Sequence, residues 1–268
     1  MEINRSNIFN LVEKCNVKAD KDYGQNFLLE PSIAEKIVYY LEPENRDDVL
    51  EIGPGLGSLT HFLYDKCHLT VCDIDSRMID FLKIFYKDEI SYVLNDVRKI
   101  DVSSYHKIIG NLPYNITTEL VTFLLLNAIK AERMVLMCQL EAFSRFNDLS
   151  GENYGPASIL VHLLGDIEKG IVVKAGSFYP VPKCQSIVFT FNRHPVTDFE
   201  TIKNVYKFAK AIFSNRRKTI YNNLKNYLSD ANKVKSLLNE LNIDPMLRPE
   251  NIKPEIYLKM YQMIQKSL

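Results

Sequence analysis

The sequence predicts an α/β fold: a doubly wound, mostly parallel sheet with an antiparallel strand pair at one edge, followed by a small all-α C-terminal domain. Three observations carry this. First, apolar runs alternate with helical periods: Asp48-Val49-Leu50-Glu51-Ile52 runs into Gly53-Pro54-Gly55-Leu56-Gly57, and Leu59, Phe62 and Leu63 follow at helical spacing. Strands that alternate with helices imply a parallel sheet. Second, Ile167 to Val173 and Ser186 to Phe191 read as two strands flanking one loop, so their adjacency makes an antiparallel pair. Third, glycine is absent after His194-Pro195, and short helical patterns fill the remainder. The domains are therefore expected at residues 1–194 and 195–268.

Residues 1–22 are polar and mixed, with a helix expected around Ile8 to Lys14. Pro31 suits the first position of a helix whose Ile33, Ile37 and Leu41 share one face. Beyond the glycine turn, a strand Leu69 to Cys72 ends in Asp73-Ile74-Asp75, a helix carries Met78, Ile79 and Leu82, and a strand Tyr92 to Leu94 ends at Asn95-Asp96. His106 to Ile109 is a short buried strand. Thr117 to Asn127 is an apolar helix capped by Thr117 or Thr118, and Met134 to Cys138 is the next strand. Asn147 to Gly155, rich in Asn, Asp, Gly and Ser, reads as a mobile loop, and Ser158 to Leu164 as a helix.

At 268 residues, 46% hydrophobic and 25% charged, the composition is that of a soluble globular protein. No apolar run approaches the roughly 20 residues that span a bilayer, and Met1-Glu2-Ile3-Asn4-Arg5 lacks an apolar signal core. A cytoplasmic protein with no membrane partner is expected. Five scattered cysteines with no Cys-x-x-Cys pair argue against a disulfide framework and against a zinc site, so no metal is expected. The net charge is zero but uneven: from Arg193 onward there are 14 Lys and Arg against 7 Asp and Glu. A basic C-terminal part on an acidic body suits a grip on phosphate in one region.

The central stretch is Gly110-Asn111-Leu112-Pro113-Tyr114-Asn115-Ile116. Pro113 fixes its own φ and pushes Leu112 out of the helical region, leaving loop carbonyls available to a ligand. An amide, open carbonyls and an aromatic face suit a flat base carrying an exocyclic amine, adenine being the obvious candidate. The competing reading is a strand-ending turn with a packed tyrosine. In a parallel sheet, ligands sit at the carboxyl ends of the strands, where Glu51, Gly53, Asp73, Asp96 and Asn111 would converge. The glycine spacing is Gly-x-Gly-x-Gly, not the dinucleotide Gly-x-Gly-x-x-Gly. Asp73 can accept both ribose hydroxyls and Asp96 an adenine amine, whereas a phosphorylated cofactor would meet a cluster of carboxylates. Charge favours S-adenosylmethionine, with its sulfonium and ammonium.

These motifs resemble the ribosomal RNA adenine dimethyltransferases that modify two adjacent adenines near the 3′ end of small-subunit RNA; macrolide-resistance methyltransferases are similar in the first domain. The resemblance rests also on Gly24-Gln25-Asn26-Phe27-Leu28, Phe178-Tyr179-Pro180-Val181-Pro182-Lys183, Asn215-Arg216-Arg217-Lys218-Thr219 and Arg248-Pro249-Glu250-Asn251. It implies a Rossmann-like class I methyltransferase sheet and S-adenosyl-L-methionine as cofactor. Gln25, Asn26 and Leu28 would line its methionine end, Gly53 would pass beneath it, Asp73 would take the ribose and Asp96 the adenine, with Glu51, Gly55, Ile74, Val97 and Asn111 also among the residues at the cofactor. Asn111 and Leu112 would accept the hydrogens of the target amine, in a loop fixed by Pro113, while Tyr114 and Phe178 stack the extruded base. Phe178 as a plug between two strands is the alternative. Lys183, Arg216, Arg217 and Lys218 would contact RNA of an immature small ribosomal subunit, the enzyme acting as a monomer. The sequence departs from the family at Asp73, usually Glu, at Leu140, usually Lys, and in its neutral charge. A large-subunit resistance enzyme and a non-catalytic RNA-binding assembly factor retaining the fold are the alternatives.

Overall fold

The computed structural model describes residues 4, 6–7, 10–12 and 25–266. Most of the Ile8 to Lys14 helix expected from the sequence, and Gly24, lie outside the described residues. Two compact units emerge, Met1–Ala142 with Glu168–Arg193, and Phe143–Ile167 with His194–Leu268.

The first unit is built on strands β2 (Asp48–Ile52), β3 (His68–Asp73), β4 (Ser91–Leu94), β5 (Lys107–Asn111), β6 (Arg133–Gln139), β7 from Glu168 (β7 spans Gly165–Val173) and β9 (Ser186–Arg193), in the sheet order β4-β3-β2-β5-β6-β9-β7. The first five are mutually parallel, and β9 runs antiparallel to β6 from Arg133↔Asn192 to Gln139↔Ser186. Alternate strand residues point to opposite faces. Val49, Val71, Ile109 and Val135 join one core with Ile37 and Leu41 of helix α1 (Pro31–Leu41) and Met78 and Leu82 of α3 (Ser76–Tyr86). Their neighbours Leu50, Ile108, Met134 and Leu136 are equally buried, so both faces are covered as a parallel sheet requires.

Between β2 and the four-residue helix α2 (Thr60–Leu63) lies the glycine turn. Gly57 has φ +87°, and a Cβ there would lie 2.7 Å from Leu82, so only glycine fits. At Gly110 a Cβ would lie 2.6 Å from the Ile52 carbonyl, and this close approach of β5 to β2 brings Asn111 beside the glycine turn. Helix α4 (Thr117–Asn127) starts where expected, but its cap differs. Ile116 precedes it without a side-chain cap, and Thr117 Oγ1 instead donates to the Pro113 carbonyl at 3.0 Å, tying the helix back to the loop before it.

A second, two-stranded antiparallel sheet joins β1 (Phe27–Leu28) to β8 (Phe178–Tyr179), pairing Leu28 with Phe178 and Phe27 with Tyr179. The sequence reading did not anticipate it.

The second unit contains α5 residues from Phe143 (α5 spans Leu140–Asn147), α6 (Pro156–Leu164), α7 (Phe199–Phe213), α8 (Ile220–Leu228), α9 (Ala231–Glu240) and α10 (Pro254–Lys266). Its core joins Val205, Phe208 and Ile212 of α7 to Leu224, Leu238, Tyr257 and Met260, and it also takes in Tyr154 and Ile159. Tyr154 further donates its hydroxyl to the Ile252 carbonyl at 2.7 Å. This packing gathers residues 143–167 with the C-terminal helices, whereas a cut at 194/195 alone would leave them with the sheet.

Candidate active site

The carboxyl ends of β2, β3, β4 and β5 border an open cleft. Of the residues singled out from sequence, Gln25, Asn26, Gly53, Gly55, Asp73, Ile74, Asp96, Val97, Asn111, Leu112, Pro113 and Tyr114 line it. Parallel strands end together, which places residues distant in sequence around one opening.

Asn111 is the last residue of β5. Its Nδ2 donates to the Asn26 carbonyl at 3.0 Å, which fixes the amide orientation and turns Oδ1 away from that partner. Oδ1 is buried and meets no donor among the described residues. A buried acceptor without a donor costs free energy on the order of 1–3 kcal/mol, which a ligand N–H would recover. Tyr114, three residues on, is half-buried; its hydroxyl and the Ser186 Oγ of β9 are 2.7 Å apart, which pins the ring at the cleft wall. Leu112 is anchored through its N–H to the Met137 carbonyl of β6 at 2.9 Å.

The acidic side chains divide into two kinds. Asp73 is pushed up to about 6, first by burial and also by the neighbouring Asp75 charge, against N–H donors from Asp75, Gly55 and Ile74. Asp96 is held below the usual carboxylate range chiefly by the Arg98 guanidinium, which reaches it at 2.6 Å. Asp75 is buried and serves structure: it caps α3, accepts from Arg77 and holds Gln25 Nε2 at 3.0 Å.

Three predicted residues stand elsewhere. Leu28 and Glu51 line a smaller adjoining hollow that shares Asn26, Gly53, Gly55 and Asn111 with the cleft. Glu51 is only 1% exposed; burial raises its carboxyl to about 8 despite the Thr60 hydroxyl at 2.7 Å, and its Oε1 meets no donor among the described residues. Phe178 is 1% exposed and belongs to the sheet core, because pairing with Leu28 across β1 and β8 turns its ring inward. It does not line the cleft in this structure. Conversely Phe27, Cys72, Asn95, Arg98, Ile116 and Leu120 line the cleft without having been singled out. For Arg98 a signal existed, since Asp96-Val97-Arg98 repeats the spacing of Asp75-Ser76-Arg77 at the preceding strand end.

In the helical unit, Arg216, Arg217 and Lys218 lie in the turn between α7 and α8, not on a helix. Arg217 and Lys218 are exposed. Arg216 instead donates to the carbonyls of Glu152 at 2.7 Å, Gly151 at 3.1 Å and Tyr154 at 3.3 Å, and so clasps the loop read from sequence as mobile. Asn223 shapes the turn, its Nδ2 donating to the carbonyls of Asn215, Lys218 and Thr219 at 3.2 Å each. Lys183 is exposed on the first unit.

The donor set fits a cationic nucleoside without phosphate. Carboxylates border the cleft, and Arg98, the cation lining it, is paired with Asp96 and Glu119. The family model for ribosomal RNA adenine dimethylase matches residues 16–266. Ribosomal RNA small subunit methyltransferase A of Malacoplasma penetrans (strain HF-2) is 38% identical over 256 residues, 93% of each chain. The protein of the same name from Mesoplasma florum is 35% identical over 261 residues, covering 91% of this chain and 98% of its own. Among solved structures, a dimethyladenosine transferase from Plasmodium falciparum superposes with a TM-score of 0.79 at 25% identity, over 90% of this chain and 98% of that one. With the sheet, the glycine turn and the Asn-Leu-Pro-Tyr loop in their places, the chain belongs to the ribosomal RNA adenine dimethylase family, enzymes whose methyl donor is S-adenosylmethionine.

Proposed function

We propose that this protein dimethylates the N6 amines of two adjacent adenines near the 3′ end of small-subunit ribosomal RNA during ribosome assembly, acting in the cytoplasm as a monomer. The observation that carries the reading is the buried Asn111 Oδ1, which has an acceptor site to fill and an orientation already set by Asn26. The small-subunit target is preferred because both curated relatives named above carry that target in their names across more than nine-tenths of this chain.

On this reading Asn111 Oδ1 and the Leu112 carbonyl accept the two hydrogens of the target amine. Accepting both hydrogens localises the nitrogen lone pair, which is otherwise delocalised into the ring, and aims it. Tyr114 offers its face to the extruded base while Ser186 holds its hydroxyl. S-adenosylmethionine, when bound, supplies the electrophilic methyl. Asp73 would take the ribose hydroxyls, Asp96 the cofactor's adenine amine, and Gln25, Asn26 and Gly53 the methionine end, with Leu28 and Glu51 behind it. The extra proton on the methylated amine is acidic enough to leave to water, so no side chain has to act as a base. Phe178, buried in this structure, supports the β1–β8 pair and stacks on the base only if its ring turns outward. On this reading the exposed Arg217, Lys218 and Lys183 meet RNA phosphate, Arg216 contributing through the loop it clasps.

The test is methyl transfer from labelled S-adenosylmethionine to small ribosomal subunits lacking the modification, read by mass spectrometry of RNA fragments. Dimethyladenosine at two adjacent positions near the 3′ end is expected. Label appearing only in large-subunit RNA would assign the protein to the resistance type, and absence of transfer despite cofactor binding would make it an assembly factor.

A further inference from the structure

The ends of β3 and β4 carry the same device. At each, an Asp is followed two residues later by an Arg, in Asp75-Ser76-Arg77 and Asp96-Val97-Arg98. In both, Oδ1 accepts the Arg backbone N–H, at 3.0 and 2.9 Å, and the Arg Nε, at 2.9 and 3.0 Å. In both, Nη2 donates to Oδ2 at 2.6 Å. A guanidinium that grips a carboxylate through parallel bonds fixes the plane of the carboxylate as well as its charge.

The two clamps differ in what completes them. At Asp75 a further N–H donor, Gln25 Nε2, reaches Oδ2 at 3.0 Å. Asp96 lines the cleft and shows no counterpart of Gln25 among the described residues. Three N–H groups serve Asp96, Arg98 Nε being shared between Oδ1 at 3.0 Å and Oδ2 at 3.1 Å, where four serve Asp75; an ionised carboxylate has about four acceptor sites, so Asp96 keeps room for one further N–H donor. Arg98 is held from the other side too. Its Nη1 donates to Glu119 Oε1 at 2.6 Å, in the first turn of α4, the helix that follows the Asn111–Ile116 loop. Arg98 therefore cannot swing away from Asp96 without also giving up a second ion pair.

We propose that Arg98 is a positioning residue that sets nucleobase choice at this end of the cleft: gripped by Arg98 and anchored through Glu119, Asp96 presents an acceptor to an exocyclic amine and repels a ring carbonyl at the same place. The inference rests on the reading of the cleft as the S-adenosylmethionine site with Asp96 at its adenine end. Discrimination here comes from repulsion of the wrong group as much as from attraction of the right one, and repulsion requires a carboxylate that cannot rotate aside.

The test is calorimetric binding of S-adenosylhomocysteine and S-inosylhomocysteine, in which a carbonyl replaces the amine, to the wild type, Arg98→Met, Arg98→Lys and Glu119→Gln, with melting of each unliganded protein as a check on folding. The wild type is expected to prefer the adenine ligand about tenfold or more, the equivalent of roughly 1.4 kcal/mol. Arg98→Met should reduce that preference to about threefold or less. Arg98→Lys should do the same, since an ammonium keeps the charge but cannot chelate. Glu119→Gln should fall between. If Arg98→Met does not fold, Arg98→Lys carries the test. A wild type that fails to discriminate would overturn the placing of adenine at Asp96 and this inference with it. A wild type that discriminates beside Arg98 variants that discriminate equally would overturn the inference alone.

Discussion

Glu51→Gln should flatten the dependence of stability on pH. The Glu51 carboxyl is buried, and its pKa rises from an ordinary 4.5 to about 8. For a carboxyl whose folded pKa is raised, the folded state binds the proton more tightly than the unfolded chain does. Its contribution to stability is complete below pH 4.5 and is lost as pH rises through about 8. Integrated between pH 5 and pH 9, this linkage amounts to about 4 kcal/mol. Glutamine keeps an acceptor for the Thr60 hydroxyl and cannot ionise, so the variant escapes the loss. The assay is urea unfolding of both proteins at pH 5 and pH 9. The wild type should lose about 4 kcal/mol more than the variant over that interval, while contributions of groups that do not interact with Glu51 are shared by the two proteins and cancel in the comparison. Parallel pH profiles would refute the reasoning and mean that water or a cation reaches the carboxylate.

Cofactor affinity should rise as pH climbs through about 6, because only the ionised Asp73 accepts from two ribose hydroxyls. Calorimetry should show Asp73→Asn losing that dependence along with about 1.5–3 kcal/mol of binding. Phe178→Ala should cost about 3–5 kcal/mol of stability in equilibrium unfolding, as truncation of a buried aromatic does. Replacing Arg217 and Lys218 with Gln should flatten the slope of log affinity for RNA against log salt by about one to two units. Arg216→Gln should act differently, loosening the Gly151–Tyr154 loop and lowering the melting temperature, because its guanidinium serves three carbonyls there.

What the sequence made legible follows from where periodicity is strong. Strand ends in a parallel sheet converge by topology, so Asp73, Asp96 and Asn111 could be placed together from an alternating pattern alone, and all three border the cleft. The β1–β8 pairing was not legible. Each strand has two residues, too few for a period, and the partners lie about 150 residues apart. That pairing is what turns Phe178 inward. Glu51 follows the same logic: the sequence places a carboxylate beside the glycine turn but does not show its burial. The grouping of residues 143–167 with the C-terminal helices was hidden for another reason. Tyr154 fell in the loop read as mobile and Ile159 in the helix behind it, and only the fold shows which core they enter. Arg216 was read for its charge, whereas its place in a turn gives it three carbonyl partners.

The central claim is that Asn111 binds and aims the target amine, and single-turnover methyl transfer by Asn111→Ala at saturating S-adenosylmethionine tests it most directly. Losing a buried, oriented acceptor should cost about 2–4 kcal/mol in the transition state, a fall in rate of roughly 30- to 1000-fold. Cofactor affinity measured in parallel should stay within about threefold, since the proposal gives the Asn111 Oδ1, oriented by Asn26, to the target amine and not to the cofactor. A variant that transfers methyl groups at the wild-type rate would contradict the account.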